Sequence, residues 1–275
     1  MYLEEHAITT PSSDSGPQWV TLSPHYLAAT PPSDHRTYLH AFAEVSGWKA
    51  HESERMLTVA SPCDRVVIRH DQQAQQTGEH LTISARSGLD GKDRWRAVLS
   101  GVVPVEYLLH LTLQVHHVLD VDPDYIVYGL DGGPGPEPIF LDIDEDSWAL
   151  EAGEDLFMLG SADGIVTVAN RRDGSTLQLD ADPDVSWHIG ASGRSLGMKA
   201  LWRITFTEDT PPAIVNATLD KVLDDSPAVR AMPTSLPPAL HPHVRVQQLP
   251  TPSAPTASAS LRPTPPSTTP GGPSR

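Results

Sequence analysis

The stretch WRITF at residues 202–206 decides the fold, because its apolar and polar side chains alternate as on a half-buried β-strand. WRAVL at 95–99 repeats the pattern 107 residues earlier, and each tryptophan stands nine residues before a proline. Apolar residues at helical spacing follow each proline. We therefore expect a helix to cover the tryptophan face of each strand, leaving Arg96 and Arg203 on the other face.

Outside these strands, the two halves of the chain also match, with their motifs in the same order. Trp148 lies 100 residues after Trp48, and SADG at 161–164 lies 100 residues after SPCD at 61–64. The offset grows to 107 at the Trp-Arg strands, as loop insertions between strands would produce. We interpret the pattern as a duplication, with insertions around 171–184 and 192–200.

The predicted fold class is α+β: two tandem β-β-β-β-α units, whose antiparallel sheets are each covered by a helix, plus a disordered C-terminal tail. A helix before the first unit is expected from about Asp34 to Gly47, and a short strand is expected at 125–130. Thr210 should cap the last helix, with Pro211 as its first residue. The predicted boundaries are a disordered N-terminus at 1–18, a first unit with its preceding helix at 19–120, a linker at 121–146, a second unit at 147–230 and a disordered Pro/Ser/Thr-rich tail at 231–275.

Charge is distributed unevenly along the chain, whose formal net charge is −16. The predicted tail holds three of the 19 basic residues and none of the 35 acidic ones, so the preceding residues carry −19. A strongly acidic body repels phosphate backbones on average, which counts against non-specific nucleic-acid binding.

The expected location is the cytoplasm, without a membrane contact. Cys63 is the single cysteine, which excludes an intramolecular disulfide and suits a reducing compartment. The N-terminal sequence lacks the pattern of a signal peptide. No apolar run approaches the roughly 20 residues that span a bilayer.

The segment VTLSPHYLA at 20–28 resembles the "V-x-x-SPRYLA" opening of an actinomycete family, domain of unknown function 317. Further matches are Gly47-Trp48, the turn at 61–64, WHI at 187–189 and Trp202 with Thr210-Pro211. The resemblance covers about residues 19–225 and implies two tandem copies, with a fold but no activity. Leu81 replaces a usual tryptophan and Val103-Pro104 a usual Thr-Pro, so the first copy is the more diverged.

Residues with chemical potential each have a plainer explanation. The acidic run DIDED at 142–146 lacks the glycine and final glutamate of a calcium loop. His110 and His117 share a helix face but lie two turns, roughly 10 Å, apart, too far to bind one ion. Cys63 occupies a turn whose counterpart is an aspartate, and the glycines at 131–135 alternate with prolines that lack amide donors.

The leading hypothesis is therefore a non-enzymatic binding or scaffolding protein with a protein partner, without catalytic residues, metal or cofactor. The alternative is single-stranded nucleic-acid binding through two sheet faces, with Arg96 and Arg203 as the binding residues. A third hypothesis is a metal-dependent enzyme that uses the acidic linker. PTPP at 263–266 is similar to a polyproline ligand, although a solubilising spacer is the simpler interpretation. The oligomeric state stays open.

Overall fold

The computed structural model describes residues 19–30, 32–71, 74, 79–87, 91–129, 143–171, 179–180, 182–192, 200–231 and 243–249. They form a mixed α+β protein built mostly from antiparallel strands. The helices are α1 (Pro32–Ser46), α2 (Val105–Val121), α3 (Pro123–Tyr128) and α4 (Pro212–Leu223), with a 3₁₀ turn at His25–Leu27. The strands are β1 (Trp19–Ser23), β2 (Lys49–Glu52), β3 (Met56–Ala60), β4 (Val66–Asp71), β5 (Glu79–Arg86), β6 (Asp93–Gly101), β7 (Trp148–Ala152), β8 (Leu156–Ser161), β9 (Val166–Arg171), β10 (Val185–Ser192), β11 (Ala200–Thr207), β12 (Ala228–Ala231) and β13 (Arg245–Gln248).

The two Trp-Arg strands meet at the centre of one ten-stranded sheet. Its order is β2-β3-β4-β5-β6-β11-β10-β9-β8-β7, so β6 and β11 join two half-sheets edge to edge. Val98 of β6 lies directly opposite Thr205 of β11, its equivalent 107 residues later. The halves are therefore arranged around a local pseudo-twofold axis between these two residues.

Each half-sheet has five strands, so the predicted four-stranded units are one strand short. The additional strands are β2 and β7, which lie at the two edges of the sheet. All four residues of β2 are exposed, as are four of the five in β7. Edge strands without a buried face lack the alternation of apolar and polar residues by which strands are detected.

The tryptophan face is buried beneath helices, as the alternation predicts. Trp95 and Trp202 are each 1% exposed. Tyr107 of α2 packs edge-to-face on Trp202 with ring centroids 5.1 Å apart, and α2 also contacts α4. Trp48 joins the same core and donates from Nε1 to Nδ1 of His116 at 3.3 Å.

A second, three-stranded sheet has the order β12-β1-β13. It corrects two predicted boundaries. β13 and the end of β12 fall within the segment 231–275 that was predicted to be disordered, and pairing with β1 supplies the backbone partners that composition alone does not reveal. β1 was assigned to the first unit but pairs with β12, which follows the last helix of the second half. The predicted N-terminal extension at 1–18 lies outside the described residues.

The linker and the helix starts also differ from prediction. The expected strand at 125–130 is helix α3, because the Asp122 side chain accepts from the amides of Asp124 and Tyr125 at 3.1 and 3.0 Å and Pro123 occupies the first turn. Pro211 is the N-cap of α4 rather than its first residue. Thr210 does not cap, since its buried Oγ1 has no hydrogen-bond partner.

Gly101 allows the closest approach between the half-sheets. Its φ of +78° is in the left-handed region, and a Cβ there would stand 2.3 Å from the carbonyl oxygen of Leu201. That oxygen accepts from the amide of Val102 at 3.1 Å, which fixes its position. Gly47 has a similar φ of +72° but open space around it.

We predict that Gly101→Ala destabilises the protein by about 2 kcal/mol more than Gly47→Ala. Both substitutions incur the backbone cost of a left-handed alanine, about 1 kcal/mol. Only Gly101→Ala also forces the two half-sheets apart at the seam. Urea unfolding followed by tryptophan fluorescence measures the difference, and equal losses in the two variants would contradict the close approach.

Candidate binding faces

Arg96 and Arg203 lie where the alternation predicts, on the sheet face opposite the tryptophans. They are equivalent by the 107-residue offset and flank the central pair of Val98 and Thr205. Their side chains are 38% and 29% exposed. The sequence therefore identified two positions that the fold brings onto one surface, which we call the outer sheet face.

Both arginines are already bound to carboxylates of the chain itself. Arg203 forms an ion pair with Asp180 at 2.9 Å, and Arg96 forms one with Asp182. The two aspartates belong to the connection between β9 and β10, where the sequence predicts an insertion. A single acidic segment thus neutralises an arginine from each half-sheet.

Within its described central strands, the outer sheet face offers bases no large aromatic ring. Side chains alternate, and the residues opposite the two arginines on neighbouring strands include Ser84, Ser100 and Gly190. No Trp, Tyr or Phe occupies the outward positions of β4–β6 or β9–β11 in the described chain. Those positions include Val67, Arg69, Thr82, Ser84, Arg96, Val98, Ser100, Thr167, Ala169, His188, Gly190, Arg203 and Thr205.

His188 lies on this face beside Arg203. Burial lowers the pKa of its imidazole first, Arg203 lowers it further, and Asp180 raises it. The protein therefore favours the neutral form of His188, and the pKa of this ring depends on both members of the Arg203–Asp180 pair.

A polar cleft of about 610 Å³ opens beside Arg96 at one end of the seam. Four carboxylates, from Asp93, Asp184, Glu208 and Asp209, line it with the guanidinium groups of Arg94 and Arg96 and the residues Trp95 and Thr207. Three of its charged groups have partners, because Asp93 pairs with Arg86, Arg96 with Asp182 and Glu208 with Arg171. Its described lining contains no histidine, cysteine or serine, so the carboxylates are its candidate acid–base groups.

The three-stranded sheet exposes apolar side chains around Trp19. Trp19 is 48% exposed, far more than Trp95 or Trp202, and Val229 is also 48% exposed. Ala231 lies opposite Trp19 on β12, and the amide of Leu249 donates to the carbonyl of Trp19 at 3.0 Å on the other side. We call these four residues the Trp19 patch. The alternation in Trp19-Val20-Thr21-Leu22 is typical of a strand, but it gives no reason to expect Trp19 to be exposed.

The Trp19 patch is positioned by residues 23–28, which follow β1 and contact the second half. Tyr26 donates from its hydroxyl to Asp163 at 2.6 Å, and its carbonyl accepts from Nε1 of Trp202 at 2.8 Å. In the first half, the carbonyl of Ile126 accepts from Nε1 of Trp95 at 2.6 Å. SPHYLA at 23–28 therefore binds the buried tryptophan of the second half, as DPDYIV at 122–127 binds that of the first. Their similarity, at an offset of 99 residues, is the signal in the sequence that could have revealed this exchange.

Arg230 of β12 fixes the same segment to helix α2. Its guanidinium binds both carboxylate oxygens of Glu106, and it also donates to the carbonyl of Ala28 at 2.9 Å and to Thr30 Oγ1 at 3.2 Å. The Arg230 and Glu106 side chains are only 16% and 22% exposed. A partly buried, bidentate pair of this kind fixes geometry more firmly than the open pairs on the outer sheet face.

The other candidates from the sequence occupy ordinary structural positions. His110 and His117 are exposed on α2, and Cys63 is exposed in its turn. Asp144 accepts from the Ser147 hydroxyl and the Asp146 amide, an arrangement that stabilises a turn. The described residues contain no group of three or more His, Cys, Asp or Glu arranged to hold a metal ion. Residues 131–135 and 263–266 lie outside the described residues.

These features define an α+β protein with two surfaces suited to contact, a polar outer sheet face and an apolar patch on a smaller sheet. Residues 161–228 match the model of the family SPDY, described as a domain of unknown function (DUF317). The matched segment runs from the turn after β8 through α4 to the start of β12. No curated protein and no solved structure matches the chain. None of the helices in the described residues has the length and apolar character needed to cross a membrane.

We predict that the pKa of His188 rises in Arg203→Gln and falls in Asp180→Asn. The first substitution removes a neighbouring positive charge that opposes protonation, and the second removes a negative charge that favours it. An NMR titration of the imidazole Cε1–H resonances measures both shifts. The resonance of His110, exposed on α2, serves as the internal reference, and shifts of the same sign in the two variants would contradict the described ion pair.

Proposed function

We propose that this chain is a non-enzymatic binding or scaffolding protein whose partner is another protein. The observation that carries the proposal is the Trp19 patch, an exposed apolar surface on a chain that is otherwise strongly acidic. Exposed aromatic and aliphatic side chains that cluster on one surface are typical of protein contacts. The net charge of −16 favours a partner that surrounds its apolar contact residues with basic ones.

The chemistry of the surfaces supports binding rather than catalysis. The cleft beside Arg96 is polar and wide, and two of its four carboxylates, those of Asp93 and Glu208, are paired with arginines, which counts against their use in proton transfer. Asp144 of the acidic run accepts hydrogen bonds from Asp146 and Ser147 within its own turn. The hypothesis of a metal-dependent enzyme in the linker is therefore the least supported, and titration calorimetry with Mg²⁺, Mn²⁺ and Ca²⁺ tests it directly.

We predict that Trp19→Ser combined with Leu249→Ser abolishes partner binding while leaving the fold intact. Both side chains are exposed, so their loss removes contact area without emptying the core. Val45→Ser is the matched control, because Val45 is 89% exposed on α1, away from the small sheet. The measurement compares proteins retained from cell extract by the three immobilised chains, followed by titration of each purified candidate.

The expected result is a defined set of proteins that binds wild type and Val45→Ser but is reduced at least tenfold by the patch variant, roughly 1.4 kcal/mol of binding free energy or more. Purified candidates should show the same ranking. Equal retention by all three chains would show that the Trp19 patch is not the binding surface.

Single-stranded nucleic-acid binding through the outer sheet face is the alternative. The placement of Arg96 and Arg203 on one face, related by the pseudo-twofold axis, is the observation in its favour. Their pairing with Asp182 and Asp180 argues against it, as does the lack of Trp, Tyr and Phe at the described outward positions of the central strands, because such proteins combine free cations with stacking platforms.

We predict that wild type gives no salt-dependent change in the fluorescence anisotropy of a labelled single-stranded oligonucleotide. If the alternative holds, wild type binds, Arg96→Ala with Arg203→Ala loses binding, and Asp180→Asn with Asp182→Asn binds more tightly because the arginines are released. Arg55→Ala removes an exposed arginine from a turn of the first half and is the control. That pattern of results would show that the partner is a nucleic acid and not a protein.

We also infer that the first half is a second, diverged copy of the SPDY unit, so the chain arose by tandem duplication in an actinomycete. The equal strand numbers, the shared helix after each half-sheet and the alignment of Val98 with Thr205 support this inference. The cytoplasm is the compartment we propose, from the single cysteine. Beyond β13, the Pro-rich sequence from 250 onward is proposed to be a solubilising spacer.

A further inference from the structure

Three histidines of the first half are buried in contact with one another. His35 of α1 is 0% exposed, His70 of β4 is 1% exposed and His80 of β5 is 2% exposed. The rings of His35 and His80 stack, with centroids 5.3 Å apart and planes 2° apart. His70 meets His80 edge-to-face at 5.8 Å. Histidine is the side chain that changes charge near neutral pH, so a buried cluster of three links folding to proton concentration.

The hydrogen bonds of the cluster set the tautomer of a neutral His35. Nε2 of His35 lies 2.7 Å from the carbonyl oxygen of Val103, which can only accept, so Nε2 carries the proton and donates. Nδ1 of a neutral His35 is then an acceptor, and Nε2 of His80 donates to it at 3.2 Å. A proton added to Nδ1 of His35 would break this arrangement, because Nε2 of His80 would then have to accept instead of donate.

The surroundings also oppose a positive charge on His35. Burial is the largest cause of its lowered pKa, about 3, followed by His80; His70 and Arg230 lower it further, and only the hydrogen bond to Val103 raises it. These groups face His35 from β5, β4 and β12. The nearby carboxylate of Glu106 on α2 is bound at both oxygens by Arg230.

The cluster lies where α1 is attached to the rest of the molecule. Val103 follows the seam strand β6, and its neighbour Val102 donates to Leu201 of the second half at 3.1 Å. Thr30, just before α1, accepts from the amide of Val105 at 2.9 Å and from Arg230. Loss of the His35–Val103 bond would therefore loosen α1 at the point where the first half, the second half and β12 meet.

We propose that His35, His70 and His80 form an acid-sensitive latch, which holds α1 on the first half-sheet at neutral pH and releases it on acidification. The neutral cluster is compatible with the closed packing, whereas the protonated one is not. The sign follows from linkage: in an opened chain His35 binds its proton at the ordinary histidine pKa of about 6.5, and in the closed chain its pKa is about 3, so stability falls as the pH drops through this window.

The first test compares unfolding equilibria at pH 7.5 and 5.0, in EDTA, for wild type and for His35→Gln with His80→Gln. Glutamine keeps an uncharged hydrogen-bonding side chain that does not titrate. One histidine that takes up its proton only in the open state raises the unfolding constant about thirtyfold between these pH values. We expect the pH effect in wild type to exceed that in the variant by at least this factor.

The control is His110→Gln, which changes an exposed histidine of α2 and should leave the pH effect at the wild-type value. Comparison between variants is needed because burial also lowers the pKa of His25 and His188, which contribute to the total. The same pH effect in wild type and the double variant would overturn the latch. Stabilisation of wild type by Zn²⁺, lost in the double variant, would identify a metal site instead and would also overturn it.

A second measurement needs no substitution, in case the double variant fails to fold. NMR should show the His35 ring still neutral at pH 5.0 in molecules that remain closed. Hydrogen exchange should show that the amides of α1 lose protection between pH 7.5 and 5.0, after correction for intrinsic rates, before those of α4. A His35 resonance that titrates near pH 6.5 in the closed protein, or equal loss of protection in the two helices, contradicts the proposal.

Discussion

The antiparallel pairing of β6 with β11 is the interaction on which the rest of the structure depends. It converts two half-sheets into one sheet with a single tryptophan face, over which α2 and α4 make contact. Backbone hydrogen bonds across a buried seam leave few alternatives, because separation would expose unpaired strand edges and large apolar side chains together. Gly101 is required there because only a residue without a side chain permits the carbonyl of Leu201 to approach so closely.

Contacts between the two halves extend this constraint to both surfaces. The segment around Tyr26 precedes the first half in sequence, but its backbone accepts a hydrogen bond from Trp202 of the second half. Arg230 links the same segment to Glu106 of α2. This exchange brings β1 beside β12 and so creates the small sheet that carries Trp19. On the outer sheet face, the aspartates of one insertion neutralise an arginine from each half. Arg96 and Arg203 are thus paired within the chain while the Trp19 patch is exposed, which is why we propose a protein as the partner.

The sequence predicted what depends on local alternation and could not predict what depends on distant contacts. The inward tryptophans, the outward Arg96 and Arg203 and the helices after each Trp-Arg strand follow from periodicity. The edge strands β2 and β7 escaped detection because they bury almost nothing. Pairing of Arg203 with Asp180 or of Tyr26 with Asp163 is a tertiary choice that no spacing rule encodes. At 125–130, the N-cap from Asp122 outweighed the strand preference of Ile126 and Val127.

Native-state hydrogen exchange across the seam tests this account most directly. If the β6–β11 pairing holds both halves together, the amides of Leu99 and Ile204, at the buried centre of the seam, should exchange only through global unfolding, with the same free energy as the core of either half. Seam amides that exchange at a clearly lower free energy than the remaining strands of their own halves would contradict it, since the halves would then separate and fold as independent units.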